Sequence, residues 1–109
     1  ILAKAPHLIF SSITNKMRLQ EHEIEIIKQI VRNFDQDAEI YLFGSRVYDN
    51  QKGGDIDLLI MSDKINNADK RKLRLRLYDE LGEQKIDIVL AKDKEKPFTR
   101  IVLNEGVLL

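Results

Sequence analysis

The most apolar stretch of this chain carries two carboxylates. Asp55-Ile56-Asp57-Leu58-Leu59-Ile60-Met61 has the aliphatic, β-branched content of a buried strand, yet acidic residues stand at alternate positions. On a strand, residues two apart project from one face, so Asp55 and Asp57 share a side while Ile56 and Leu58 point to the other. Asp87 repeats the anomaly inside Ile86-Asp87-Ile88-Val89. If the two strands are neighbours, the three carboxylates converge. Like charges 4 Å apart repel by about 4 kcal/mol at an effective dielectric of 20, so such a cluster calls for a cation, a proton or separation. Mg²⁺ or Mn²⁺, held by hard oxygen donors, is the natural solution. A plainer reading stands beside it. Asp-x-Asp next to Gly53-Gly54 is ordinary turn chemistry, and Asp87 alone would pair with Arg46, Lys52 or Lys85.

The rest of the pattern places those strands. Ile24, Ile27, Val31 and Phe34 recur at helical spacing and predict an amphipathic helix over Glu21 to Phe34. Glu39 to Phe43 reads as a strand, followed by a polar loop from Gly44-Ser45 to Gly53-Gly54 and then the acidic strand. Residues 68–82 are ambiguous, because Leu73, Leu75 and Leu77 alternate while Leu73, Leu77 and Leu81 form a helical stripe. Asn67 as a cap, Asp69 in the first turn and Gly82 at the end favour helix. Lys85 to Leu90 forms a third strand, and Pro97 opens a last helix closing near Gly106. The order helix, strand, strand, helix, strand, helix describes an α/β (α+β) domain: a small mixed β-sheet with helices packed on it. Residues 1–18 show no period and form an N-terminal leader; residues 19–109 form the domain.

Composition narrows the function. A chain of 109 residues is one domain, and its 18 basic residues balance 18 acidic ones. That balance argues against direct nucleic-acid binding as the main task, since neutralising phosphates calls for a basic excess. No cysteine is present, which excludes disulfides, thiolate metal sites and cysteine nucleophiles. Apolar runs are too short for a membrane span, and the cytoplasm is the expected compartment.

Gly44-Ser45-Arg46 ends the first strand. Glycine there lets a phosphate approach the backbone, amides and the Ser45 hydroxyl donate to it, and Arg46 adds charge. Alone this is a plain turn. Followed by Asp55-x-Asp57, it describes a cradle for a metal-borne nucleoside triphosphate.

Phe43-Gly44-Ser45-Arg46, then Gly53-Gly54-Asp55-Ile56-Asp57-Leu58-Leu59-Ile60, then Ile86-Asp87-Ile88-Val89 together resemble the minimal nucleotidyltransferases (MNT) of the DNA polymerase β superfamily. The spacer between Ser45 and Asp55 is one residue shorter than the commoner family spacing. The resemblance implies a polymerase β-like nucleotidyltransferase fold and extends from about residue 19 to Leu109. It implies that Asp55, Asp57 and Asp87 are catalytic and hold two Mg²⁺ ions (or Mn²⁺), and that Asp87 is also the general base. Gly44 and Ser45 would bind the β- and γ-phosphates, with Arg46 a phosphate or acceptor contact. The reaction implied is transfer of a nucleoside monophosphate, AMP from ATP, to a hydroxyl.

Larger members of that superfamily carry a further domain to grip the acceptor, so a partner chain or the protein itself would present it here. Stand-alone members resemble the antitoxin of a two-gene module whose partner is an all-helical HEPN-type toxin, silenced by adenylylation. Two other readings stay open. One is a non-catalytic nucleotide- or partner-binding module that masks the partner by contact. The other is a small-molecule adenylyltransferase of the aminoglycoside type, for which a homo-oligomer would have to complete the acceptor pocket.

Other polar residues read as surface. His22 falls some 140° from the apolar stripe of its helix, at 100° per residue, and His7 lies in the leader. Lys70, Arg71, Lys72, Arg74 and Arg76 spread around their helix, which suits a solvated surface better than a nucleic-acid groove. Tyr41 and Tyr48 flank the Gly-Ser loop, with packing favoured over contact to a base or ribose.

Overall fold

The computed structural model describes residues 19–44, 56–82 and 85–109. The leader and most of the loop between the first two strands, including Ser45, Arg46, Tyr48 and Asp55, lie outside the described residues. Helix α1 (Glu21–Phe34) leads into β1 (Glu39–Phe43). Strand β2 (Ile56–Met61), helix α2 (Asn67–Leu81) and strand β3 (Ile86–Ala91) follow, then helix α3 (Pro97–Glu105) and a short strand β4 (Val107–Leu108). The four strands form one mixed sheet in the order β3-β2-β1-β4. β1 runs antiparallel to β2 and β4, while β2 and β3 are parallel. A parallel pair needs a long crossover, and α2 supplies it.

Alternation along the strands sorts their side chains onto two faces. Ile40 and Leu42 of β1, Ile56, Leu58 and Ile60 of β2, and Ile86 and Ile88 of β3 build the main core. Ile24, Ile27, Ile30 and Val31 of α1 and Leu73 and Leu77 of α2 close it from above. The helical stripe expected for α1 is the buried one, and burial of Leu73 and Leu77 with Leu75 exposed confirms α2 as a helix. Arg76 of the basic cluster lies over the Phe34 ring at 5.1 Å, a cation–π contact across the α1–α2 seam. His22 is exposed, as its helical phase requires.

The opposite face carries a smaller cluster of Leu59, Ala91 and Val102, flanked by Tyr41, Phe43, Met61, Val89 and Leu103. Val102 and Leu103 belong to α3, so this helix packs on the lower face of the sheet, chiefly against β1.

Three details differ from the sequence reading. The cap of α2 is Asn66 rather than Asn67: the Asn66 side chain accepts from the Asp69 amide at 2.9 Å, and the Asn66 amide donates to Asp69 at 3.2 Å. This reciprocal pair fixes the helix start one residue earlier. Strand β3 runs on to Ala91, whose carbonyl accepts from the Ser62 amide at 2.9 Å. The C-terminal β4 has no counterpart in the sequence pattern. It forms because Gly106 ends α3 tightly enough to turn Val107 onto Leu42 and Leu108 onto Tyr41. A Cβ on Gly106 would lie 2.7 Å from the Val102 carbonyl oxygen and 2.9 Å from that of Leu42. Only glycine lets the two backbones approach this closely.

Candidate active site

Asp57 and Asp87 are register partners on the parallel strands β2 and β3. Partnered residues leave the same face of a sheet, and neighbouring strands lie about 4.8 Å apart, so the two carboxylates emerge side by side. Both are half-buried. Like charges directly opposite one another destabilise a sheet, so pairing two aspartates here does nothing for the fold. They project from the face that α3 covers, near the N-terminal ends of their strands, ahead of Leu59 and Ala91.

Across β1, the partner of Asp57 is Phe43. One row across the sheet therefore reads Asp87, Asp57, Phe43. The next residue, Gly44, has φ +78°, a conformation glycine adopts at little cost. A Cβ at Gly44 would meet the Asp57 carboxylate, 3.1 Å from Cγ and closer still to Oδ2. The Asp57 side chain thus lies directly against the Gly44 backbone, in space that any other residue would fill. The start of the Gly-Ser-Arg segment and the acidic pair form one continuous surface.

The structure thus brings Gly44, Asp57 and Asp87 together, while Ser45, Arg46 and Asp55 lie outside the described residues. Among the described residues no group of three histidine, cysteine or carboxylate side chains is assembled. Two of the three expected ligands are described, and they face each other. Their donor set is carboxylate oxygen only, which suits a hard divalent cation such as Mg²⁺ or Mn²⁺. Tyr41 joins the apolar floor on this face, opposite Leu59. Its hydroxyl is pushed above the usual tyrosine range, first by burial and then by the Glu39 carboxylate, which keeps it protonated.

Two features near or behind the site were not apparent in the sequence. The Phe98 ring of α3 meets Phe43 edge-to-face, with centroids 5.6 Å apart and planes at 79°. Pro97-Phe98 at a helix start carries no signal that would point to Phe43. Asp35, which reads as part of a polar break, is instead buried at 4% exposure. It accepts the Ser62 hydroxyl at 2.5 Å and the Asp37 amide at 3.0 Å, with Lys64 Nζ at 3.9 Å. The Ser62 oxygen in turn accepts the Lys64 and Ile65 amides, each at 3.1 Å. The Ser62 bond holds the Asp35 carboxyl below the usual range against the opposing effect of burial, aided by the Asp37 amide and Lys64. This knot ties the end of α1 to the end of β2. It is structural, and remote from the acidic pair along β2.

A mixed sheet backed by two helices, with facing aspartates beside a glycine turn on its other side, is the architecture of a polymerase β-like nucleotidyltransferase domain. The family model described as Polymerase beta, Nucleotidyltransferase matches residues 25–109. The chain belongs to that family. Its members generally use a divalent metal and a nucleoside triphosphate. A comparison with curated proteins found no match. Among the described residues, no helix is long and apolar enough to cross a membrane.

Proposed function

We propose that this nucleotidyltransferase domain moves a nucleoside monophosphate, AMP from ATP, onto a hydroxyl of a partner protein. The observation that carries the catalytic part is the register pairing of Asp57 with Asp87, with Gly44 packed under the Asp57 carboxylate. The finer reading, an antitoxin that silences a helical HEPN-type partner, rests on the resemblance of the Gly-Ser, Asp-x-Asp and third-aspartate set to minimal members of the family.

In this reading Asp55, Asp57 and Asp87 hold two divalent ions, and Gly44, Ser45 and Arg46 hold the phosphates. Bound ions would supply charge to neutralise the triphosphate and the departing pyrophosphate. Asp57 touches the Gly44 backbone, so it fixes the metal end of the site relative to the phosphate end. Asp87 is the base. It takes the proton of the acceptor hydroxyl as that oxygen bonds to the α-phosphorus, while the bond from the α-phosphorus to the bridging oxygen breaks and pyrophosphate leaves. General bases of this kind contribute about 10²–10⁴-fold.

The test is to incubate the protein and its HEPN-type partner with α-labelled ATP and Mg²⁺. Label should appear on the partner and fall at least about 10²-fold with Asp57→Asn or Asp87→Asn. Thermal melts of both variants beside the wild type separate a loss of chemistry from a loss of fold. Undiminished labelling with Asp57→Asn would overturn the catalytic reading. Partner silencing that survives Asp57→Asn would point to masking by contact instead.

A further inference from the structure

We propose that Phe98 is the platform on which the base of the incoming nucleotide stacks. The inference rests on the nucleotidyltransferase reading above and extends it from the phosphates to the base. Phe43 lies one strand from Asp57 and two from Asp87 in the same cross-sheet row. The contact with Phe43 brings the Phe98 ring to this face, at the β1 end of the row that holds the carboxylates. Two strand steps span roughly 10 Å, so a nucleotide whose phosphates lie at Gly44 and Asp57 has its base within reach of the aromatic pair.

The ring is presented rather than stored. Phe98 is 48% exposed although it sits in the first turn of α3, where Thr99 and Val102 beside it are buried. Half-buried Phe43 holds it in a perpendicular contact, which fixes its attitude without covering it. A rigid, solvent-facing aromatic ring next to a phosphate site suits a flat heteroaromatic base, since every base has a π-face to stack. Such stacking tolerates any base and favours those that stack best, so purine triphosphates should bind more tightly than pyrimidine ones. Among the described residues the other exposed aromatic side chain of a helix is Tyr78, which lies on α2 behind the sheet.

The experiment compares binding of ATP, CTP and inorganic tripolyphosphate to the full chain by calorimetry in Mg²⁺. The wild type should bind ATP more tightly than tripolyphosphate. Phe98→Ala should weaken ATP about tenfold and leave tripolyphosphate unchanged, while Phe98→Trp restores ATP binding. Ile101→Ala, which trims another exposed side chain of α3, should change neither. Equal weakening of ATP and tripolyphosphate by Phe98→Ala would show a merely structural ring and overturn the proposal. So would unchanged ATP binding, or a wild type that binds ATP no better than tripolyphosphate; each leaves the nucleotidyltransferase reading intact. A wild type that binds neither phosphate compound would refute both.

Discussion

Replacing Gly44 by alanine perturbs the backbone and the acidic pair at once, and the two effects can be separated. At φ +78° a side chain costs about 1–2 kcal/mol in the left-handed region. The new Cβ would also stand in the space of the Asp57 carboxylate, 3.1 Å from Cγ. Rotating that carboxylate away takes it off its rotamer, for about 0.5–1.5 kcal/mol. The expected loss is about 2–3 kcal/mol, or a fall in Tm on the order of 10 °C for a domain of this size. Nucleotidyl transfer should fall further, by about 10²-fold, because a reacting group displaced by about 1 Å loses that much. The assay is a double-mutant cycle by urea unfolding, comparing Gly44→Ala in the wild type and in Asp57→Ala. With the carboxylate gone, only the backbone cost should remain, about 1–2 kcal/mol. If alanine at position 44 costs the same in both backgrounds, within about 0.5 kcal/mol, the steric link between the glycine turn and Asp57 is refuted.

Ser62→Ala should cost about 1.5–3 kcal/mol at neutral pH, because it leaves the buried Asp35 carboxylate without its hydroxyl donor. The Asp35 pKa is lowered in the fold, so its contribution is present above the unfolded value near 3.8 and is lost as pH falls through the folded value. Urea titrations at pH 7 and pH 3 should therefore show the gap between wild type and Ser62→Ala narrowing in acid. Gly106→Ala should cost about 1–3 kcal/mol, since its Cβ would press on two backbone oxygens that cannot swing aside. Hydrogen exchange should locate the damage at the Leu109 amide, which donates to the Ile40 carbonyl at 2.9 Å.

Elements with a strong local period are legible in the sequence alone. Ile24, Ile27 and Val31 announce α1. The leucines of α2 fit helix and strand alike, so Asn67, Asp69 and Gly82 tip the balance, and burial of Leu73 and Leu77 settles it. Pro97 opens α3 because its fixed φ suits a first helical turn without tertiary information, whereas Gly106, at φ −79°, closes it through close backbone packing rather than a special local conformation. The pair β1–β4 was not legible, since two residues hold too little pattern to register. Its existence depends on the close approach of Gly106 to Leu42. In the site, Asp57 and Asp87 stood out because carboxylates interrupt otherwise apolar strands, and neighbouring strands made them partners. The packing of Asp57 against Gly44, the Phe43–Phe98 contact and the burial of Asp35 were invisible for a shared reason. Each joins residues separated in the chain, and nothing in either partner's own neighbourhood names the other.

The parallel pairing of β2 with β3 ties the acidic pair to the order in which the chain folds. Asp57 cannot meet Asp87 through a hairpin; the whole of α2 must first dock and carry the chain back. Contacts of such long sequence separation form late and slowly, so a partly folded chain has separated carboxylates. A ligand that needs both therefore binds the native state alone. At a hundredfold excess over its Kd it would add about 2.7 kcal/mol to the stability of the domain, making melting temperature itself a titration of the site.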